Sequence, residues 1–240
     1  NSVTALVILG SCSFSAMAAS KIPESIKQAV VFVFDVSSAG ELVPLATAFF
    51  VGVPDEQDPN VHHGYLVTAK HVVFKASGAQ IRSRIMLRLQ KKSGGTETVP
   101  IPIVAQGAQQ TVYFHSDPTV GLAVISWLPD RHTVDFKCIP DELITDSAQF
   151  RNLGISEGTE VFFTGLFAPH PGKDKNYPIA RFGRAALISD EKVEVAGAAG
   201  DLYLAESSSD GGNSGSTVSD FPGPDHDPGR LVLGSPRVYL

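Results

Sequence analysis

Hydrophobic positions along this chain come in short bursts rather than in helical stripes. Val30–Val36 (VVFVFDV), Ala46–Val53 (ATAFFVGV), Tyr65–Val73 (YLVTAKHVV) and Arg84–Lys92 (RIMLRLQKK) are rich in β-branched and aromatic residues, with Gly, Pro, Asp or Ser between them. Thr111–His115, Gly121–Leu128, Glu160–Phe167, Ile179–Ser189, Asp201–Glu206 and Arg230–Gly234 continue the series. About ten such runs, with no long helical period between them, predict an all-β sandwich or barrel. Alternation is plainest over 82–90, where Arg82, Arg84, Arg88 and Gln90 share one strand face and Ile85, Leu87 and Leu89 the other. Short helices fit only at Ile26–Val30 and Asp141–Phe150. The polar, Pro-punctuated run 128–145 (LPDRHTVDFKCIPDELIT) reads as a linker, which divides the chain into β units at 21–128 and 146–240 with 129–145 between them.

The 240 residues are 43% hydrophobic and 18% charged, enough for a sizeable core and too apolar for a disordered chain. A net charge of −6 argues against a general nucleic-acid binder, whose footprint is basic. Residues 1–20 carry no charge; Val3–Leu9 is a short apolar run, and Ala16-Met17-Ala18 is a small-x-small cleavage pattern. That pattern predicts a secretory signal, too short to span a bilayer, and a secreted or periplasmic product. Leu9-Gly10-Ser11-Cys12 also fits a lipobox, with a lipid anchor on Cys12, and a buried N-terminal helix is a third reading. Two cysteines build no disulfide framework, and Cys138 reads as a small buried hydrophobe.

Reactive chemistry concentrates in two places. Thr68-Ala69-Lys70-His71-Val72-Val73 closes an apolar strand, and Asp210-Gly211-Gly212-Asn213-Ser214-Gly215-Ser216 forms a glycine-framed turn in the second β unit. A serine hydroxyl attacks only when a neighbouring base takes its proton, and histidine has the matching pKa. Glycines around the serine let successive N–H groups aim at a developing oxyanion. Together, these blocks resemble the signatures of trypsin-like, chymotrypsin-fold serine peptidases, particularly bacterial HtrA-like members, over roughly residues 28–235. The resemblance implies two antiparallel β-barrels with an active site in the cleft between them, and endopeptidase activity through an acyl-enzyme. It makes His71 the general base and Ser214 the nucleophile, with the N–H groups of Gly212 and Ser214 as the oxyanion hole. No cofactor or metal is implied, and the expected partner is a peptide or protein substrate.

The chain departs from the family in three respects. The triad acid should stand directly before a Leu-Ala-Val-like strand, yet the position before Leu122-Ala123-Val124 is Gly121. Asp117 is the nearest substitute, but four extended residues span about 13 Å, so it needs a rebuilt loop to reach His71. Asn213 precedes the serine where zymogen-activated members carry an Asp, so activation through a new N-terminal amine is not expected. By resemblance Ser208 lies at the floor of the primary pocket; a neutral residue there favours apolar or small side chains, a preference that Asp210 can modify. The chain ends at Arg237-Val238-Tyr239-Leu240, where the family carries further strands, so an incomplete second barrel is expected.

Other groups read as ordinary surface. His62-His63 have no third ligand in view, Asp220, Asp225 and Asp227 sit in a Pro/Gly turn, and Arg82, Arg84, Arg88, Lys91 and Lys92 form a solvated strand face. Two functions follow: a serine endopeptidase with impaired turnover, and a non-catalytic pseudoprotease that binds peptides or proteins in the same cleft.

Overall fold

The computed structural model describes residues 22–58, 61–75, 80–145, 149, 152–189, 191–195, 198–200, 202–208, 211–220 and 231–232. The expected leader with Cys12, residues Asp210, Asp225 and Asp227, and the chain end at 233–240 lie outside them. Helix α1 (Glu24–Ala29) buries Ile26 and Ala29, and then the chain enters β1 (Val30–Val36). Six more strands build the first lobe: β2 (Leu42–Pro54), β3 (His62–Ala69), β4 (Arg84–Gln90), β5 (Thr96–Pro102), β6 (Val112–Phe114) and β7 (Leu122–Ile125). Their order in the sheet is β5-β4-β1-β2-β3-β7-β6, with antiparallel neighbours throughout. Past β5 the chain turns a corner at which Val104 O accepts N–H bonds from Thr111 and Val112, and Thr111 Oγ1 donates to Pro102 O. That corner ties the chain just past β5 to the start of β6, and the sheet curls.

Burial explains why β1 is a continuous apolar run rather than an alternating one. Val31 and Val33 point into the curled sheet with Ala46, Ala48, Phe50, Leu66, Leu87 and Ile125. Val30, Phe32 and Phe34 point the other way and pack with Leu166 of the second lobe. A strand buried on both faces needs apolar residues at every position.

The connection 129–145 is held down rather than free. Val134 is 3% exposed and bridges to Lys91, Phe136 packs edge-on against Phe50, and β8 (Ile139–Pro140) pairs in parallel with β2. After a 3-10 turn at Asp141–Leu143 comes β9 (Ile144–Thr145). The second lobe adds β10 (Glu160–Gly165), β11 (Ile179–Ile188), β12 (Val193–Val195), β13 (Ala198–Gly200), β14 (Tyr203–Ser207), β15 (Thr217–Asp220) and β16 (Leu231–Val232). Its main sheet runs β14-β11-β10-β15-β16-β9, with β12 and β13 forming a separate hairpin.

The basic face expected over 82–92 is not simply solvated. Arg82 is paired with Asp35. Arg88 is only 8% exposed: its Nη2 donates to Lys173 O at 2.8 Å and its Nη1 to Pro171 O at 3.3 Å, while Asn176 Nδ2 returns a bond to Arg88 O at 2.7 Å. Burial pushes the Arg88 guanidinium below its ordinary pKa, and Asp174 partly offsets this. Segment 171–178 therefore lies across the strand face, a long-range contact that local alternation cannot register. Arg88→Met is expected to cost about 1–3 kcal/mol in urea unfolding by orphaning those carbonyls. It should also speed tryptic cleavage after Lys173 in the native protein.

Candidate active site

His71 sits where β3 ends. The ladder to β2 and β7 stops at Thr68 and Ala69, and residues Lys70–Val73 wind into a 3-10 turn. Extended structure was expected to run on to Val73. Instead Lys70 N–H turns to Gly121 O, at 2.7 Å, and His71 emerges exposed on the turn while Val72 and Val73 bury beneath it. The backbone at Gly121, where the resemblance leads one to expect an acid, therefore lies beside the residue preceding His71.

The Gly212–Ser214 turn is pinned against the same strands. Thr47 on β2, with 0% exposure, accounts for most of it. Its N–H donates to Ser214 O at 2.9 Å, its Oγ1 donates to Gly212 O at 2.7 Å, and that same Oγ1 accepts Leu166 N–H at 2.8 Å. Thr68 Oγ1 in turn donates to Thr47 O at 2.7 Å. Gly215, at φ +83°, fits where a Cβ would stand 2.3 Å from Thr47 O and 2.9 Å from Ala69 N. No side chain is tolerated in that gap. Ser214 and the strand leading to His71 are thus drawn together by backbone contact.

Every carbonyl of the turn is engaged: Gly212 O and Ser214 O by Thr47, and Asn213 O by Ser216 N–H at 2.9 Å. Among the described residues, the N–H groups of Gly212 and Ser214 donate to no acceptor. Gly212 holds φ +104°, and a Cβ there would meet Leu166 at 2.9 Å. A half-buried turn with its carbonyls tied back and two N–H groups unspent is suited to receive a negatively charged oxygen.

Asp117 is fully occupied elsewhere. Its Oδ1 accepts from Thr119 N–H at 2.9 Å and Thr119 Oγ1 at 2.7 Å, and its Oδ2 pairs with Lys192 Nζ at 2.7 Å. Lys192 first, then Thr119, hold its carboxyl well below the usual carboxylate range. Ser208 is exposed, one residue past β14. Of the histidine pair, His63 Nε2 bonds Asp55 Oδ2 at 2.7 Å, and among the described residues no cluster of metal-ligating side chains occurs.

Sequence reasoning passed over Thr47 and Arg181. Arg181 is 7% exposed and donates from Nη1 to Asn213 Oδ1 at 2.7 Å. Each carried a signal: Thr47 is a polar residue inside Ala46-Thr47-Ala48, and Arg181 interrupts Ile179-Ala180-Arg181-Phe182. A polar side chain at a buried strand position must find a partner.

The fold is that of the chymotrypsin-like, trypsin-type protease domains. Among solved structures this chain is similar to the MamO protease domain from Magnetospirillum magneticum in its apo form, with a TM-score of 0.52 and 15% identity, over 86% of this chain and 90% of that one. The likeness is one of fold. No protein-family model matches the chain, and no curated protein matches it.

Two outcomes are expected here. Thr47→Val keeps the volume but leaves Gly212 O and Leu166 N–H unpaired, and should cost about 1–3 kcal/mol in urea unfolding. The Asp117 bridge has a depressed folded pKa, so its contribution is whole above the unfolded value of about 3.9 and is lost as pH falls through the lower folded value. The loss of thermal stability on Asp117→Asn should therefore be constant from about pH 8 to pH 5 and shrink only in stronger acid.

Proposed function

We propose that this chain is a serine peptidase of the trypsin-like kind, impaired in turnover, with Ser214 as nucleophile and His71 as base. The observation that carries this reading is the Gly212–Ser214 turn, whose N–H pair is unspent among the described residues while its carbonyls are tied back. In the proposed reaction His71 takes the Ser214 hydroxyl proton as Oγ attacks a peptide carbonyl carbon. The two N–H groups receive the resulting oxyanion, and His71 returns the proton to the leaving amine as the C–N bond breaks. Water then repeats the sequence on the acyl-enzyme and releases the second fragment.

The weak link is position 121. Gly121 offers only its carbonyl, already bonded to Lys70, and no carboxylate to orient the imidazole or stabilise its protonated form. Loss of the acid from such a triad costs on the order of 10⁴ in kcat while the oxyanion hole still supplies residual catalysis. Asp117 is committed to Thr119 and Lys192, which favours impairment over substitution. The second reading, a pseudoprotease that binds peptides in the cleft, is favoured by the same Gly121. The HtrA-like, bacterial and exported character is proposed from the two sequence blocks and from residues 1–20. A small or apolar side-chain preference is proposed from the neutral Ser208.

Labelling by a fluorophosphonate probe tests the reading. The parent should label slowly and Ser214→Ala not at all. Gly121, unlike Gly212 and Gly215, does not hold a positive φ, so Gly121→Asp brings no backbone strain. That variant should label faster, toward the factor of about 10⁴ that the acid is worth. Absence of labelling in folded parent and folded Gly121→Asp would overturn the peptidase reading in favour of the binding one.

A further inference from the structure

Arg181 lies on β11, with Phe163 of β10 as its cross-strand partner, and is 7% exposed. Its Cζ stands 5.8 Å from the centre of the Phe167 ring, and its Nη1 donates to Asn213 Oδ1 at 2.7 Å. Asn213 sits between Gly212 and Ser214, whose N–H groups donate to no acceptor among the described residues. We propose that Arg181 is a positioning residue that acts through Asn213 to hold this N–H pair in its anion-receiving orientation. The proposal rests on the serine-peptidase reading of the same turn and names what sets its geometry.

The physical case starts from the glycines. Gly211 and Gly212 carry no Cβ, and glycine takes φ of either sign at similar energy, so the peptide between them is the easiest in the turn to rotate. Rotation would swing the Gly212 N–H away from Ser214 N–H and close the anion site. Residues on either side resist it. Gly211 O accepts Ala168 N–H at 3.2 Å, Gly212 O accepts Thr47 Oγ1, and Asn213 is held at both its carbonyl and its side chain, by Ser216 N–H and Arg181. The Arg181 contact is charge-assisted, and the guanidinium that delivers it stands over the Phe167 ring, 5.8 Å from its centre, where the cation is attracted to the ring. Filling space does not require such a residue. A leucine or methionine would pack at this strand position without burying a guanidinium, which persists in interiors only where its donors are used. Arg181 also provides, from within the lobe, an anchor at the residue that in zymogen-activated relatives is expected to await a new amino terminus.

The test uses the full chain and five proteins: parent, Arg181→Met, Arg181→Lys, Asn213→Asp and the Arg181→Met/Asn213→Asp double variant. The rate constant for fluorophosphonate labelling of Ser214 is measured together with hydrogen exchange of the 211–216 amides and the melting temperature. Arg181→Met is expected to slow labelling about 10²-fold, the size of losing one oxyanion-hole donor, and to speed exchange across 211–216. Arg181→Lys should recover part of both losses. Asn213→Asp keeps the contact to Arg181 and should label at least as fast as the parent; combined with Arg181→Met it should do worse than Arg181→Met alone, because its carboxylate is then buried without that partner. Equal labelling and exchange in parent and folded Arg181→Met would overturn the proposal, as would an Asn213→Asp effect identical in both backgrounds. Should Arg181→Met not fold, Asn213→Asp decides: a 10²-fold loss with Arg181 present overturns the positioning role. Should the parent not label at all, the peptidase reading falls by itself. Exchange at 211–216 then decides this inference alone, with faster exchange in Arg181→Met supporting it and unchanged exchange overturning it.

Discussion

The site depends on one buried hydroxyl-bearing residue of the opposite lobe. Thr47 donates its N–H to Ser214 O, donates its Oγ1 to Gly212 O, accepts Leu166 N–H on that oxygen, and receives Thr68 Oγ1 on its carbonyl. These bonds are shielded from water, where hydrogen bonds are electrostatically strong and orphaned partners costly. They explain why Gly215 must be glycine, since the turn is pulled so close that a Cβ would overlap Thr47 O. They also make the Gly212–Ser214 turn a product of lobe docking rather than of the second lobe by itself.

The lobes contribute unequally to that arrangement. The first has an apolar interior of Val, Ile, Leu and Phe from β1 to β7 and offers the turn a rigid wall. The second, among its described residues, buries Thr164, Thr217 and Ser219 at 0% exposure on paired strands, with hydroxyls that find no partner. A sheet with polar interior positions gains less from burial, so contacts across the lobes matter more for its order. Phe32 and Leu166 at the interface, and the Asp117–Lys192 bridge at the β12–β13 hairpin, supply such contacts.

How much of this was legible follows from where each signal resides. Strands such as β1, β4 and β10 carry their burial in their own residues, and the apolar runs mark them closely. β5 is not among the runs that the pattern marks; it carries Pro100 and Pro102 and is an outer strand of the sheet order, where a missing N–H is tolerated. β15 (Thr217–Asp220) is not among the predicted runs, and Asp220 is expected in the solvated Pro/Gly turn; pairing with β10 makes the segment a strand and leaves Asp220 7% exposed. His71 and Ser214 stood out because their flanking residues form compact blocks. Thr47 and Arg181 did not, since their partners lie 165 and 32 residues away and neither local pattern names them. Arg88 failed as a solvated residue for the same reason, its partners arriving from 171–176.

The bond from Lys70 N–H to Gly121 O has an evolutionary corollary. It is made by main-chain atoms and is indifferent to the side chain at 121. The sheet keeps this position in register beside the histidine turn whatever residue occupies it. A side chain can therefore be added there by a single substitution, with the architecture left intact. Side-chain chemistry and folding are separable at this locus: what residue 121 presents beside the histidine turn can change while the main-chain bond that holds the turn stays as it is.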